Sequence, residues 1–342
     1  MKRLVSALRR SWRNDKDRWL LAAAALSLAA SLLHPGWPMR QALFDQIVIL
    51  DVTQSMNVED QQLDGKPVSR LLHAKHALRQ ALVEMPCGSR IGWGIFTEYR
   101  SFLLFAPVEV CANLNELRST LDRIDGRMAW TGNSEIAKGL YSGIGIARQL
   151  PEAPSLLFIT DGQEAPPINP QHRPPFSGKQ GEVQGLLVGV GDLKASRIPK
   201  TDPLGRPLGF WAADEVAQVD PRSQGRGASV GGEKLVEDGS DAQQPALPGA
   251  TPGSEHLSSL REAYLQILAS ETGLRYVRLQ ADGSFVSAMT SPALSRPVVA
   301  QADFAPAFAG LAFLLLLARH ASQLREVWRR RFKPSLRTGR IT

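Results

Sequence analysis

The chain has 342 residues and a formal net charge of +7, but its positive charge is concentrated at the two ends. Residues 1–18 carry seven Lys and Arg against two Asp, and residues 319–342 carry eight against one Glu. The tails therefore hold +5 (7 − 2) and +7 (8 − 1), which leaves −5 for the middle, so the basic composition does not indicate a nucleic-acid-binding domain.

An uncharged segment rich in Leu and Ala follows the basic N-terminal tail, from Trp19 to Leu33. We predict a transmembrane helix at residues 19–35, although a comfortable span needs roughly 20 apolar residues. A buried core helix is one alternative. A cleaved signal peptide over residues 1–35 is another, and it would leave the main domain on the same side of the membrane.

The next feature is a short apolar run, Gln46 to Leu50, which predicts one buried strand. Asp51, Thr53 and Ser55 follow it directly, and ligands of α/β proteins gather beyond the carboxyl ends of strands. An all-oxygen set with one carboxylate suits a hard cation such as Mg²⁺. The same residue types are also ordinary in turns and helix N-caps, so a capping turn is the alternative.

A helix is predicted next, at Arg70 to Glu84, from apolar residues spaced three and four apart. Ile91 to Thr97 and Ser101 to Phe105 are predicted to be two strands joined by a tight turn centred on Tyr99. Cys87 and Cys111, the only cysteines, lie twelve residues to either side of Tyr99. Positions equidistant from a hairpin turn face each other, so a disulfide is predicted, with two unrelated buried thiols as the alternative.

Two later segments repeat the pattern of oxygen-bearing side chains at element ends. Ser134 and Thr131 stand just before a predicted helix at Ile136 to Leu150. Ser155 to Thr160 is a second apolar strand, and it ends in Asp161. A hydroxyl and a second carboxylate could therefore join the first loop at one edge of the sheet.

These three loops resemble the metal-ion-dependent adhesion site (MIDAS) of the von Willebrand factor type A (VWA) family, Asp-x-Ser-x-Ser followed by a distant Thr and a distant Asp. The resemblance implies that Asp51, Thr53, Ser55 and Asp161 bind Mg²⁺, or Mn²⁺ or Ca²⁺. Counting back from Gly139 and Leu140 places Ser134 at the second loop, with Thr131 as the alternative. In the family, the open position of the metal accepts an acidic side chain from a partner protein.

The remaining pattern predicts alternating helices and strands. It consists of a helix at Leu114 to Leu121, a strand at Val183 to Val190, a helix at His256 to Thr272 and a strand at Arg275 to Leu279. We therefore predict an α/β fold, a doubly wound, mostly parallel, Rossmann-like sheet with an antiparallel edge hairpin, over residues 45–286.

A long interruption is predicted inside this domain, at about residues 192–255. Residues 221–254 are rich in Gly, Ser, Pro and Gln and are predicted to be a flexible loop. The earlier part is predicted to be a β-like excursion, because Phe210 and Trp211 need surfaces to pack on. A partner-binding arm and a solvated insertion are both open interpretations.

A second uncharged segment, Phe304 to Ala318, predicts a C-terminal transmembrane helix at residues 304–318. Because Lys and Arg mark the cytoplasmic side, both tails are predicted to be cytoplasmic and to touch anionic lipids. The main domain would then be periplasmic, anchored in a bacterial inner membrane.

The pattern does not favour an enzyme, and no catalytic residue is predicted. Thr53 stands where a dehalogenase-type phosphatase needs its second Asp, and no Gly-x-Ser-x-Gly elbow occurs. The layout is similar to Bat-type aerotolerance proteins and to VWA proteins of methanol-dehydrogenase maturation. That resemblance implies assembly of, or metal insertion into, an exported enzyme together with a MoxR-type AAA+ ATPase. The alternative is a structural membrane scaffold whose metal site no longer binds.

Overall fold

The computed structural model describes residues 18–165, 174–202, 204–216, 256–280 and 282–331. The predicted loop at 221–254 and most of both basic tails lie outside these residues. The chain forms two compact units, one of Ala42–Arg296 and one of Met1–Gln41 with Pro297–Thr342.

Most strands belong to the first of these units. In chain order they are β1 (Gly36–Leu43), β2 (Asp45–Asp51), β3 (Gln61–Leu63), β4 (Lys66–Val68), β5 (Arg90–Thr97), β6 (Arg100–Leu103), β7 (Val108–Glu109), β8 (Ser155–Thr160), β9 (Gly185–Gly189), β10 (Ser196–Arg197), β11 (Pro199–Thr201), β12 (Pro207–Phe210), β13 (Leu257–Ser258), β14 (Arg275–Arg278) and β15 (Arg296–Asp303).

The helices are interspersed with the strands. They are α1 (18–32), α2 (Arg70–Glu84), α3 (Leu114–Arg123), α4 (Ile136–Gln149), α5 (Ala213–Val216), α6 (Glu262–Thr272), α7 (Ser284–Met289) and α8 (Ala305–Arg331). The N-terminus of α2 is fixed by Ser69, whose hydroxyl accepts the N–H of Leu72 at 3.1 Å.

The central sheet has seven strands in the order β14-β9-β8-β2-β5-β6, with β7 also paired to β5. The first five are parallel neighbours, whereas β6 and β7 run antiparallel to β5. The predicted fold class is therefore confirmed, including its antiparallel edge hairpin.

Helices cover both faces of this sheet, and each face has its own core. Val48 and Leu50 of β2 pack with buried residues of α2, α3 and α7, and Ile47 and Ile49 with those of α4 and α6. All seven residues of β2 are buried, as expected for a strand between two helical layers.

The disulfide predicted between Cys87 and Cys111 is present, with the Cα atoms 5.3 Å apart. The hairpin inside it turns where predicted, because Thr97 pairs with Arg100. Cys87 lies just before β5, at the amino end of that strand.

The interruption at residues 192–255 begins with ordered structure. Strand β10 pairs with β13, and β11 pairs with β12 to form a hairpin that α5 follows. This confirms a β-like excursion. Trp211 is half-buried as expected, but Phe210 is 55% exposed, so it does not pack as predicted.

The second unit contains α1, α8 and the paired strands β1 and β15. Within the described residues, no helix combines the length and the apolar character needed to cross a membrane. This corrects the prediction of transmembrane helices at 19–35 and 304–318. Each of these two uncharged stretches is short of the roughly 20 residues that a span requires.

Candidate metal centre

The candidate site lies where two adjacent parallel strands end. Leu50 of β2 pairs with Ile159 of β8, so Asp51 and Asp161 come from neighbouring strand ends. The chain leaves β2 toward β5 on one side, and β8 flanks it on the other. This is the switch point of the sheet, where α/β folds leave a crevice for ligands.

The first loop is held together by the carboxylate of Asp51, which is fully buried. Its Oδ1 accepts the backbone N–H of Thr53 at 2.9 Å and the Thr53 hydroxyl at 2.7 Å. Its Oδ2 accepts the hydroxyl of Thr160 at 2.7 Å. Thr53 Oγ1 lies 3.3 Å from Ser55 Oγ, so the three predicted oxygen donors of this loop converge.

Asp51 has no cationic partner among these contacts. Burial, followed by the negative charge of Asp161, raises the pKa of Asp51 to about 7, although hydrogen bonds from Thr160 and Thr53 oppose the rise. A carboxylate in this state lacks positive charge nearby, which a bound cation would supply.

The second loop presents Ser134 rather than Thr131. Ser134 bridges two other loops, because its N–H donates to Ala165 O at 2.6 Å and it forms a β-bridge with Glu98. Its hydroxyl is buried and has no hydrogen-bond partner among the described residues. The Thr131 hydroxyl accepts the N–H of Asn133 at 3.2 Å within its own turn.

The position of Ser134 depends on how closely α4 approaches the sheet. Gly139 passes directly over the ring of Phe96, where any Cβ would clash. Ser101 Oγ also donates to Gly139 O at 2.8 Å. These contacts fix the first turns of α4, and with them the loop that carries Ser134.

The third loop contributes Asp161, which is fully buried and already paired with a cation. Its Oδ2 accepts from Arg70 Nη1 at 2.5 Å and from Ser258 Oγ at 2.9 Å, and its Oδ1 accepts the N–H of Gln163 at 2.9 Å.

Arg70 was not recognised from the sequence as part of this site. Its guanidinium is fully buried and also binds Asp60, with Nη2 2.6 Å from Asp60 Oδ2, and it donates to Ser258 O at 3.1 Å. One signal was present, because an Arg in the first position of a helix faces the positive end of the helix dipole. A buried anion is the natural explanation for such a residue.

Glu164 was also missed by the sequence analysis. It is buried, and its Oε1 accepts from Tyr264 Oη at 2.6 Å and from the N–H of Ala137 at 3.1 Å. Burial raises the pKa of Glu164 to about 7 against these hydrogen bonds. Glu164 thereby ties the third loop to the start of α4, which sets the second loop against the third.

The charges around the site leave it slightly negative. Asp51, Asp60 and Asp161 face Arg70 and Arg261, and Arg261 donates its N–H to Asp161 O at 2.8 Å. With every group ionised, three carboxylates against two guanidiniums leave one negative charge. A divalent cation would make this set positive and able to attract an acidic side chain.

The oxygen donors open into a cleft of about 200 Å³. Thr53, Ser55 and Ser134 line one side of it, and Ile198 and Trp211 of the interruption line the other. The residues therefore fit a hard cation, because they supply carboxylate and hydroxyl oxygens and one buried hydroxyl without a described partner.

Comparison with protein-family models and with curated proteins gives no match. Similar solved structures include an aerotolerance-related membrane protein of Bacteroides fragilis (17% identity, 73% of this chain and 98% of that one, TM-score 0.43). BatB of Bacteroides thetaiotaomicron is another (17%, 73% and 96%, TM-score 0.44). A third is the mussel byssus proximal thread matrix protein 1 with a zinc-occupied MIDAS motif (16%, 45% and 39%, TM-score 0.29).

These neighbours agree with the resemblance that the motifs indicated, to Bat-type membrane proteins and to a MIDAS-containing protein. All three TM-scores are below 0.5. The function proposed next therefore rests on the residues of the site and not on these likenesses.

Proposed function

We propose that this chain binds a divalent cation through Asp51, Thr53, Ser55, Ser134 and Asp161 and uses it to hold an acidic side chain of a partner protein. The observation that carries the proposal is the buried Ser134 hydroxyl, which lacks a described partner and lines the same cleft as Thr53 and Ser55. A buried hydroxyl left unpaired costs about 1–3 kcal/mol, which ligation would recover.

The role we propose is binding and not catalysis. The bound cation would act as a Lewis acid toward a carboxylate. Asp51 and Asp161 would supply negative charge to it, and the hydroxyls of Thr53, Ser55 and Ser134 neutral oxygens. Mg²⁺, Mn²⁺ and Ca²⁺ all accept such donors. By the resemblance to Bat-type and methanol-dehydrogenase-maturation proteins, we propose that the partner is an exported enzyme under assembly, with a MoxR-type ATPase.

A second candidate function is a structural scaffold whose metal site is inactive. One observation favours it, because Arg70 Nη1 lies 2.5 Å from Asp161 Oδ2. A guanidinium in that place is a built-in cation for one of the two carboxylates. On this alternative, the site would be stable without metal and would bind none.

Metal titration separates the two candidates. We expect Mn²⁺ to give a saturable heat with the full-length protein in detergent, and we expect Asp51→Ala to weaken binding by at least about 100-fold. Loss of a direct ligand should cost no less than the 10–100-fold typical of outer-shell partners. Asp51 is a better target than Asp161, because Asp161→Ala would also leave Arg70 without its buried partner.

The matched control is Asp45→Ala. Asp45 lies at the other end of β2 and pairs with Arg90 at 2.9 Å, far from the donors along the strand. Its Mn²⁺ affinity should equal that of the wild type. Equal heats from Asp51→Ala and the wild type, or no heat from either, would favour the scaffold.

We also propose that the unit formed by α1 and α8 attaches the protein to a membrane. Large apolar side chains on both helices are exposed, among them Trp19 at 75%, Leu32 at 77% and Leu314 at 62%. Basic residues precede α1 in the sequence and follow Ala318. Exposed apolar side chains beside Lys and Arg suit attachment to an anionic bilayer.

The side of the membrane follows from the cysteines, since a disulfide persists in an oxidising compartment such as the periplasm. We expect alkaline phosphatase fused after Gly249 to be active. The Lys and Arg excess of the tails predicts that the same enzyme fused after Thr342 is inactive. Membrane flotation tests the attachment, and an inactive Gly249 fusion would place the domain in the cytoplasm.

A further inference from the structure

The wall of the cleft opposite the oxygen donors is built by the interruption, which the proposed metal site does not need. Ile198 and Trp211 flank the β11–β12 hairpin, and Val216 ends α5. The backbone closes this wall, because Trp211 N–H donates to Ile198 O at 3.1 Å. Ile198, Trp211 and Val216 are called the apolar wall below.

The cleft is too small for a cofactor and suits side chains. Its volume is about 200 Å³, whereas pockets for drug-sized ligands run from roughly 300 to 1,000 Å³. One side presents hydroxyls of the metal loops and the other presents the apolar wall. An occupant must therefore join an oxygen ligand to an apolar group over a short distance.

Trp211 offers both an apolar surface and an unused donor. Its indole Nε1–H is buried and has no acceptor among the described residues. Lys200 Nζ lies 4.5 Å from the centroid of its ring, which holds the ring in place by a cation–π contact. A buried indole N–H normally finds an acceptor, and a peptide carbonyl would supply one.

The cleft also contains a carboxylate of this chain, but that carboxylate is already engaged. Glu215 Oε1 accepts from Lys200 Nζ at 2.6 Å, and its Oε2 accepts the N–H of Ala212 at 3.1 Å. These bonds fasten α5 to the hairpin. Glu215 thus supports the wall, and the acidic ligand for the metal must come from another chain.

We propose that the apolar wall selects the partner, so that the cleft accepts a peptide segment in which an acidic residue is followed directly by a large apolar residue. The carboxylate would reach the cation, the apolar side chain would lie on Ile198 and Val216, and a backbone carbonyl would accept the Trp211 indole N–H. This inference rests on the proposed metal-dependent binding and adds the sequence that the partner must carry.

The test uses full-length protein loaded with Mn²⁺ and three capped hexapeptides, Gly-Gly-Glu-Leu-Gly-Gly and its Gln-Leu and Glu-Ser counterparts. Paramagnetic broadening of the peptide proton signals reports binding next to the metal. We expect the Glu-Leu peptide to be broadened at least about tenfold more strongly than either counterpart, since a lost ligand or apolar contact of 1.4 kcal/mol changes affinity tenfold.

Trp211→Ala should reduce Glu-Leu affinity about tenfold or more while leaving the heat of Mn²⁺ binding unchanged, since Trp211 supplies no metal ligand. Phe210→Ala is the matched control, because Phe210 is the neighbouring aromatic residue but is 55% exposed and does not line the cleft. It should behave as the wild type.

Two kinds of failure are distinguishable. If wild-type protein binds Mn²⁺ but Glu-Ser and Glu-Leu peptides broaden equally, or Trp211→Ala binds as the wild type does, the apolar wall does not select and only this inference fails. Absence of peptide binding to the Mn²⁺-loaded protein overturns it as well. If the wild type binds no Mn²⁺, the proposed function itself fails.

Discussion

Replacing Arg70 with methionine should lower the free energy of unfolding of the Ala42–Arg296 unit by about 3–5 kcal/mol. The reason is that both partners of the guanidinium stay behind. Asp161 is fully buried, Asp60 is nearly so, and each would lose its salt bridge while remaining out of water. Urea unfolding followed by circular dichroism, in the presence of EDTA, measures the loss.

Arg79→Met is the matched control for this experiment. Arg79 lies on the same helix, α2, and pairs with Asp122, but both side chains are partly exposed. An exposed ion pair contributes about 0–1 kcal/mol, so this variant should lose little stability. Equal losses from the two variants would show that the Arg70 network contributes no more than an ordinary surface pair.

The Arg70 variant also bears on the choice between a working and an inactive metal site. Removing a positive charge beside Asp161 strengthens attraction for a cation, so Arg70→Met should bind Mn²⁺ more tightly than the wild type. If the wild type gives no heat and only Arg70→Met binds, Arg70 has replaced the metal, and the scaffold is the correct interpretation.

The parts of the fold that the sequence predicted are those with strong local signals. Helix α2 has the predicted bounds because its apolar spacing is regular and Ser69 caps its start. The ends of β2 and β8 were located because each apolar strand ends abruptly in a carboxylate. The convergence of Asp51, Thr53 and Ser55 followed from their alternation within a single loop.

The remaining parts of the site depend on contacts between distant residues. Arg70 is 91 residues from Asp161 and 188 from Ser258, so no window of sequence shows that the three meet. The choice between Ser134 and Thr131 was open for the same reason. It depends on the bridges of Ser134 to Glu98 and Ala165, which only the folded chain brings together.

The helix ends of the second unit show a different limit. Hydropathy predicted two spans, but composition alone did not fix the helix limits, and α8 continues past Ala318 into the basic tail as far as Arg331. An apolar stretch near the lower end of the useful length predicts a helix well and its relation to a bilayer poorly.

The disulfide is supported by a second cross-link that does not involve sulfur. Glu109 accepts the N–H of Gly88 at 2.7 Å with one carboxylate oxygen and that of Ala112 at 2.5 Å with the other. These two N–H groups belong to the residues that follow Cys87 and Cys111. The folded state therefore keeps the two cysteines close even after reduction, and the disulfide should act mainly by restricting the unfolded chain.

Reduction, or replacement of both Cys87 and Cys111 with serine, should therefore cost roughly 3 kcal/mol, the chain-entropy value for a loop of this length. The two cysteines are 24 residues apart in sequence. For a domain of this size the loss corresponds to a fall in Tm of about 6–12 °C, measured by scanning calorimetry with and without reductant. The double-serine variant should be insensitive to reductant, which controls for effects of the reagent. Mn²⁺ affinity should be unchanged, because Cys87 precedes the amino end of β5 and the metal loops lie at the carboxyl ends of β2 and β8. Two freely alkylated thiols in protein purified without reductant would contradict the bridge, and a large loss of Mn²⁺ binding on reduction would contradict this separation of disulfide and site.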